Sequence, residues 1–292
     1  MSTDSNVAAA GRVATGAPDP RYTVGSVARA LGLLDLVAEG PIEGLTVSEI
    51  SRALGVSKST VFALTHTLAT WGYLRAGGPG PRYQLGLALV RLGDVSSDRL
   101  PLGPRCRPIL RELSTRTGLT TRAAVNDACQ PVFLERVDAP GAIRFHTPLG
   151  VAELAHVSSA GKAILATLSD EQVATVIART GLPWRTPKTI TSLAELLSDL
   201  SATRRRGYAV DDEEDVEGVF CIGAAFFDHS GACAGAISAT GIKRDLPARA
   251  VEDLGLAVRA AADQVSELLR GTPHAAPEHP ITITTPAAPP LR

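Results

Sequence analysis

The 292-residue chain lacks most of the features that would commit it to an obvious chemistry. Its four cysteines, Cys106, Cys129, Cys221 and Cys233, stand singly, with no C-x-x-C pair. Disulfide frameworks and structural zinc sites are spaced differently, so reduced thiols in a cytoplasmic protein are expected. No basic segment followed by an apolar run opens the chain, so no signal peptide is expected. No stretch of about 18 uncharged apolar residues occurs, so no membrane span is expected either. Lysine is scarce, four residues against 25 arginines, a skew that fits a GC-rich coding sequence. Net charge is −1, so the molecule as a whole shows no bias toward a polyanionic partner. One absence is local. Residues 51–93 contain no Asp or Glu, yet hold Arg52, Lys58, Arg75, Arg82 and Arg91. A phosphate backbone repels carboxylates and rewards cations through counterion release.

Residues 1–20 and 271–292 are rich in small residues and proline, without periodicity, and read as disordered tails. Between them, Val27, Leu31, Leu34 and Ala38 recur at helical spacing until Gly40-Pro41. A second helix starts at Thr46, with Glu49 completing a capping box, and stops at Gly55. Ser57 caps a third helix with Val61, Leu64 and Leu68 on one face, closed by Gly72. Tyr73–Arg75 and Arg82–Leu85 read as strands around the turn Ala76-Gly77-Gly78-Pro79-Gly80-Pro81. A linker helix follows over 87–104, with Pro101 and Pro104 marking a boundary. From 105 to 270 the pattern mixes elements. Helices are expected near 105–117, 159–168, 170–180, 192–206 and 247–270. Strands are expected near 120–126, 131–138, 143–147, 207–211, 219–227 and 233–240. Paired strands with helices grouped between them imply an α+β domain with an antiparallel sheet.

Two short helices joined by Leu54-Gly55-Val56-Ser57, then a hairpin, describe a winged helix-turn-helix over 21–86. The second helix of such a pair enters the major groove of DNA. Ser57, Lys58, Ser59 and Thr60 crowd its N-terminus, where free N–H groups favour a phosphate. Phe62, Ala63, His66 and Thr65 lie on or near the outer face, where Phe62 could meet a thymine methyl or a sugar. Arg75 and Arg82 flank the wing and would hold backbone or minor groove.

The stretch 21–86 carries Ser26-Val27-Ala28-Arg29-Ala30-Leu31, Leu45-Thr46-Val47-Ser48-Glu49-Ile50, Ser57-Lys58-Ser59-Thr60-Val61, Gly72-Tyr73-Leu74 and Arg82-Tyr83-Gln84-Leu85-Gly86. The stretch 105–270 carries Ala160-Gly161-Lys162-Ala163 after His156, Arg206-Gly207-Tyr208-Ala209 before Asp211-Asp212-Glu213-Glu214, and Gly218-x-x-Cys221-Ile222 and Ala236-Ile237-Ser238. In these motifs, taken in order over about 21–270, the chain resembles the IclR family of bacterial transcription regulators. The resemblance implies a winged-helix domain, a linker helix and a GAF-like effector domain, assembled into dimers or tetramers on an operator in double-stranded DNA. It implies a small-molecule effector and no cofactor or catalytic residue. Where the family's recognition helix often carries Arg, this chain has Ala63.

Residues Ser158-Ser159-Ala160-Gly161 open a helix whose free N–H groups suit a carboxylate or carbonyl oxygen, such as that of an organic acid. The resemblance places effector contacts at Ser159, Ala160, Asp211, Cys221, Ser238 and Thr240. Ser238 and Thr240, two apart on a strand, share a face. Bland readings stand beside these. Ser159 could only cap its helix, Cys221 could be a small buried hydrophobe, and the Asp211–Asp215 run with Glu217 could be a solvated loop. Two rival chemistries use the same residues. Cys221 with His156 or His229 and Asp211 could form a thiol nucleophile, base and orienter. Asp211, Cys221, His229 and Cys233 could gather around zinc, although their spacing matches no recognised site.

Overall fold

The computed structural model describes residues 22–77, 82–99, 102–140, 145, 148–243 and 247–272. The expected tails lie outside these residues, apart from Gly271 and Thr272, as do the hairpin tip at 78–81 and the strand near 143–147, apart from Phe145. The chain divides into two compact units, Met1–Pro101 and Leu102–Arg292.

The first unit runs α1 (Gly25–Glu39), β1 (Leu45–Thr46), α2 (Val47–Leu54), α3 (Lys58–Thr70), β2 (Leu74–Gly77), β3 (Arg82–Leu85) and α4 (Leu87–Arg99). Local chemistry sets its corners. Thr46 Oγ1 accepts from Glu49 N at 3.3 Å, and Glu49 Oε2 accepts from Thr46 N at 2.7 Å, so the capping box closes in both directions. Gly55 takes the left-handed conformation, φ 65°, that ends α2. Ser57 Oγ then accepts from Thr60 N at 3.2 Å to start α3. Leu33, Val37, Ile50, Val61, Leu74 and Tyr83 form the core. The face of α1 that packs is therefore Leu33 and Val37, while Val27 and Leu31 are exposed. Two features depart from the sequence reading. Leu45 and Thr46 pair with Tyr83 and Arg82, making a three-stranded sheet, β1-β3-β2. Thr65 is wholly buried, with its hydroxyl donating to Phe62 O at 3.1 Å, and takes no part in the outer face.

The second unit begins with α5 (Leu102–Thr117), three residues earlier than expected. Pro104 falls in its first turn, where a missing N–H costs nothing. There follow β4 (Thr120–Asp127), β5 (Gln130–Val137), α6 (Ser159–Leu165), α7 (Asp170–Thr180), α8 (Leu193–Arg206), β6 (Ala209–Asp212), β7 (Val219–Phe227), β8 (Cys233–Ile242) and α9 (Ala248–Leu268). The strands form an antiparallel sheet, β5-β4-β8-β7-β6. One face carries Ala123, Phe220, Ile222, Ala224, Phe226, Ile237 and Ala239 against α5 and α9. The other carries Ala124, Ala209, Ala225 and Ala236 against α6, and α7 and α8 pack beyond α6 around Leu165, Val173, Leu196 and Leu200. The result is three layers with the sheet in the middle.

Three local features shape the turns and edges of this sheet. Hairpin β4–β5 turns through Ala128 and Cys129, both at positive φ (49° and 71°), a geometry that favours Asn-Gly. Strand β6 pairs only with Phe220–Gly223, so β7 outruns it. The end of α9 covers part of that edge: Ser266 Oγ accepts from Phe227 N at 3.0 Å, and Arg270 bridges to Asp228. Gly271 belongs there for steric reasons, since a Cβ would come within 2.1 Å of Phe227 O.

Candidate nucleic-acid interface and ligand cavity

In the first unit, α3 presents Ser59, Phe62, Ala63, His66, Thr67 and Thr70 to solvent. These sit at i, i+3, i+4, i+7, i+8 and i+11, one stripe along the helix. Phe62 is 58% exposed, although it is a large apolar side chain. Its ring lies 6.3 Å from that of His66. At the helix N-terminus, Ser57, Lys58 and Ser59 are exposed and Thr60 is half-buried. Ser57 Oγ stands 2.8 Å from Ser59 Oγ and 2.9 Å from Thr60 Oγ1, a small knot of hydroxyls around the first turn. Arg75, on the wing, is exposed. Arg82 is placed differently. Its guanidinium donates to Gly44 O at 2.8 Å and stands 3.4 Å from Glu49 Oε2, so it braces the wing onto the capping box of α2.

In the second unit, a cavity of about 180 Å³ opens on the α6 side of the sheet. Asp211, Cys221, Thr240 and Thr120 lie side by side across β6, β7, β8 and β4. The first three line the cavity, with Arg122, Glu153 and Ser158. A larger depression, about 670 Å³, runs along α5 alone between Arg107, Arg111 and Arg116. It has a single helix for a wall, so the smaller and deeper cavity is the candidate.

Charge inside this cavity is organised. Arg122 is buried, donates to Glu153 Oε1 at 2.9 Å and stacks 3.9 Å above the Phe133 ring. Ser158 donates to the other oxygen of Glu153 at 2.8 Å. Asp211 accepts from Glu214 N at 2.8 Å. Burial pushes its carboxyl up to about 7, although that N–H pulls the other way. Cys221 accepts from Thr240 Oγ1 at 3.3 Å, and burial, then the neighbouring Asp211, hold its thiol well above the ordinary range.

Asp212, Glu213, Glu214 and Asp215 each have a cation, while Glu217 is exposed. Asp212 meets Lys243, Glu213 meets Lys188 at 2.5 Å, and Asp215 meets Arg185 at 3.0 Å. Glu214 receives the wholly buried Lys162 at 2.6 Å, and Lys162 also reaches Asp199 at 3.1 Å. The acidic run is therefore a set of clamps rather than a solvated loop.

Of the six expected effector residues, the structure brings Asp211, Cys221 and Thr240 to the cavity wall. Ser159 and Ala160 pack against Gly223, where a Cβ would meet Ser159 O at 2.6 Å. Ser158 takes their place on the wall. Ser238, paired with Gly223 on one side and Arg122 on the other, does not line the cavity. The hydroxyls of Ser159 and Ser238 are nevertheless buried without a hydrogen-bond partner. Arg122 and Glu153 were missed. Arg122 had a signal: a lone charged residue inside the run Thr120-Thr121-Arg122-Ala123-Ala124-Val125, at a position whose pleat points inward.

The rival constellations do not assemble. His229 is exposed at the β7–β8 turn, at the opposite end of that hairpin from Cys221. His156 is held by Pro183 O at 3.1 Å. Cys233 pairs beside Phe227, also at the far end. Among the described residues no three His, Cys, Asp or Glu side chains are grouped to hold a metal ion. Among them, too, no helix is long and apolar enough to cross a membrane.

Comparison with known proteins agrees with this architecture. Residues 26–78 match the IclR helix-turn-helix domain, and residues 96–267 match the bacterial transcriptional regulator IclR C-terminal domain. The chain is 33% identical over 245 residues to the transcriptional repressor IclR of Escherichia coli, covering 83% of this chain and 89% of that one. It is 35% identical over 213 residues to the transcriptional regulator BhcR of Paracoccus denitrificans, covering 73% and 76%. The crystal structure of Thermotoga maritima IclR superposes with a TM-score of 0.71 at 26% identity, covering 84% of this chain and 98% of that one. A helix-turn-helix whose second helix and wing are free of acids, joined in one chain to an antiparallel α/β unit of this topology, is thus a DNA-binding transcriptional regulator, and the protein belongs to the IclR family.

Proposed function

We propose that this regulator is ligand-responsive, and that a small organic acid bound in the second unit changes its affinity for an operator. The observation that carries this reading is the cavity walled by Arg122, Asp211 and Thr240. A buried guanidinium suits a carboxylate. A carboxyl held near neutrality by burial can donate a hydrogen bond to an anion instead of repelling it. The partnerless hydroxyls of Ser159 and Ser238 mark where a ligand passing beyond the wall would find further partners. We read the unit as GAF-like and the effector site as these residues together.

The DNA reading rests on Lys58, Ser59, Phe62 and His66 of α3 and on Arg75 of the wing. A dimer would set two α3 helices in successive major grooves, roughly 34 Å apart. Self-association in the first unit is supported by an apolar stripe. Val24, just before α1, and Val27 and Leu31 of α1 are exposed, and on α4 Leu87 and Val90 are 77% and 68% exposed. Such side chains on a protein surface mark a contact. The chain works in the cytoplasm as a dimer or tetramer, with α4 transmitting between the bound states. The coupling free energy would be about 1–3 kcal/mol.

The test is a thermal-shift screen of the full chain against small carboxylic acids, followed by operator binding with each hit. A stabilising acid should alter operator affinity, and Thr240→Val with Asp211→Asn should abolish both effects. A screen in which no acid raises the melting temperature rejects the organic-acid reading.

A further inference from the structure

The reading stripe of α3 is built for methyl groups. The helix sequence, Lys58-Ser59-Thr60-Val61-Phe62-Ala63-Leu64-Thr65-His66-Thr67-Leu68-Ala69-Thr70, contains no Arg, Asn or Gln. Those are the side chains that pair bidentately with guanine or adenine edges in the major groove. Only Lys58 could supply such a contact to guanine, and it stands in the first turn.

The hydroxyls along the stripe are already engaged. Thr67 Oγ1 donates to Ala63 O at 2.8 Å, and Thr70 Oγ1 donates to His66 O at 2.8 Å. A hydroxyl bonded four residues back keeps its lone pairs but has no proton left for a base. Ser59 and Thr60 are tied to Ser57. What α3 offers outward is then the Phe62 ring, the Ala63 and threonine methyls, and the His66 imidazole. Phe62 stands at the centre of the stripe, and its exposure has no account within the fold, because the core beneath is complete with Val61 and the buried Thr65.

Thymine is the base that presents a methyl in the major groove, and Phe, Ala and Thr methyls are its apolar partners. We infer that α3 selects its operator through thymine C5-methyl groups packed on Phe62 and Ala63, with His66 as the principal hydrogen-bonding reader. The inference rests on the DNA reading above and narrows it. The half-site is expected to hold thymines at fixed positions, and guanine recognition through α3 is confined to Lys58 and His66.

The experiment separates this inference from its foundation. The full-length protein selects a site from a random-sequence duplex pool, and that site is resynthesised with deoxyuridine in place of deoxythymidine. The two bases pair alike and differ only by the methyl. The thymine duplex should bind about 4-fold more tightly per contacted base, the value of burying one methyl group. Phe62→Ala should lose the larger part of that preference, keeping what Ala63 supplies, with its salt dependence intact, and Phe62→Leu should retain a thymine preference close to that of the unaltered protein. Because Phe62 is mostly exposed, neither variant disturbs the core. Equal affinity of the unaltered protein for both duplexes, or a selected site without fixed thymines, overturns the inference and leaves DNA binding standing. Failure to bind any duplex overturns both.

Discussion

The two working surfaces of this chain use charge in opposite ways. On α3 and the wing, Lys58 and Arg75 stand in solvent, and the same stretch of chain is free of acids. Inside the second unit, Lys162 and Arg122 are buried, and each reaches a carboxylate within 3 Å. The first arrangement leaves cations available to a partner that brings the negative charge. The second ties its cations to carboxylates of the fold, because a buried charge without a partner is costly, while Arg122 still faces the cavity. One chain therefore contains lysines whose loss should be felt as binding and lysines whose loss should be felt as stability.

The sharpest way to break this comparison is to remove one lysine of each kind. Lys162→Met strands Glu214 and Asp199 and should cost about 3–5 kcal/mol of unfolding free energy in urea titration. Lys58→Met should change stability by less than about 0.5 kcal/mol. Similar losses for the two would mean that Lys162 is not the keystone its geometry describes.

Next in size is a pH effect. The folded-state pKa of Asp211 is raised from 3.8 to about 7, so the folded protein holds its proton longer than the unfolded chain. The contribution of this group to stability is whole below pH 3.8 and is lost as pH rises through about 7. Asp211→Asn keeps an oxygen for the Glu214 N–H and has no proton to lose. It should be the more stable protein above pH 7, by on the order of 2–4 kcal/mol, and its melting temperature should fall less between pH 4 and pH 7. An identical pH profile for both proteins would show that Asp211 is not the titrating group.

On the exposed side the effects are smaller and read in salt. Lys58→Ala and Arg75→Ala should each lower the slope of log affinity against log salt by about 0.9 if each neutralises one phosphate. Arg82→Ala should act differently. Its guanidinium is engaged by Gly44 O, so its loss should loosen the wing and lower the melting temperature. The smallest expected effect lies in the β4–β5 turn. Ala128→Asn suits a positive φ and should add about 0.5–1 kcal/mol in thermal or urea unfolding.

The corners of the first unit were legible because their causes are local. Thr46 with Glu49, Gly55 and Ser57 each act within one turn, and a sequence displays such neighbours together. Strand β1 was not legible, since two residues become a strand only by pairing with Tyr83 and Arg82 far along the chain. The packing face of α1 was misleading for a related reason. Val27 and Leu31 have helical spacing but do not enter the core of their own unit. In the cavity, Asp211, Cys221 and Thr240 followed from family resemblance and the two-residue period of strands. Glu153 carries no such sign, because its place is fixed by Arg122 and Ser158 through contacts across the chain. Arg82 shows the limit of reading charge alone: its sign suggested a phosphate, and its position gave it a carbonyl.

The shortness of β6 has a consequence for how this protein avoids aggregating strand to strand. Beyond Gly223, the edge of β7 that faces away from β8 has no strand beside it among the described residues, and a bare strand edge is a template on which another molecule can add its own strand. The last turn of α9 and Arg270-Gly271 guard the far end of that edge. A chain cut after Leu268 would lose Arg270 and Gly271 while keeping nearly all of its core. Such a protein should fold and then accumulate into edge-paired aggregates, whereas one ending after Thr272 should remain dispersed in light scattering.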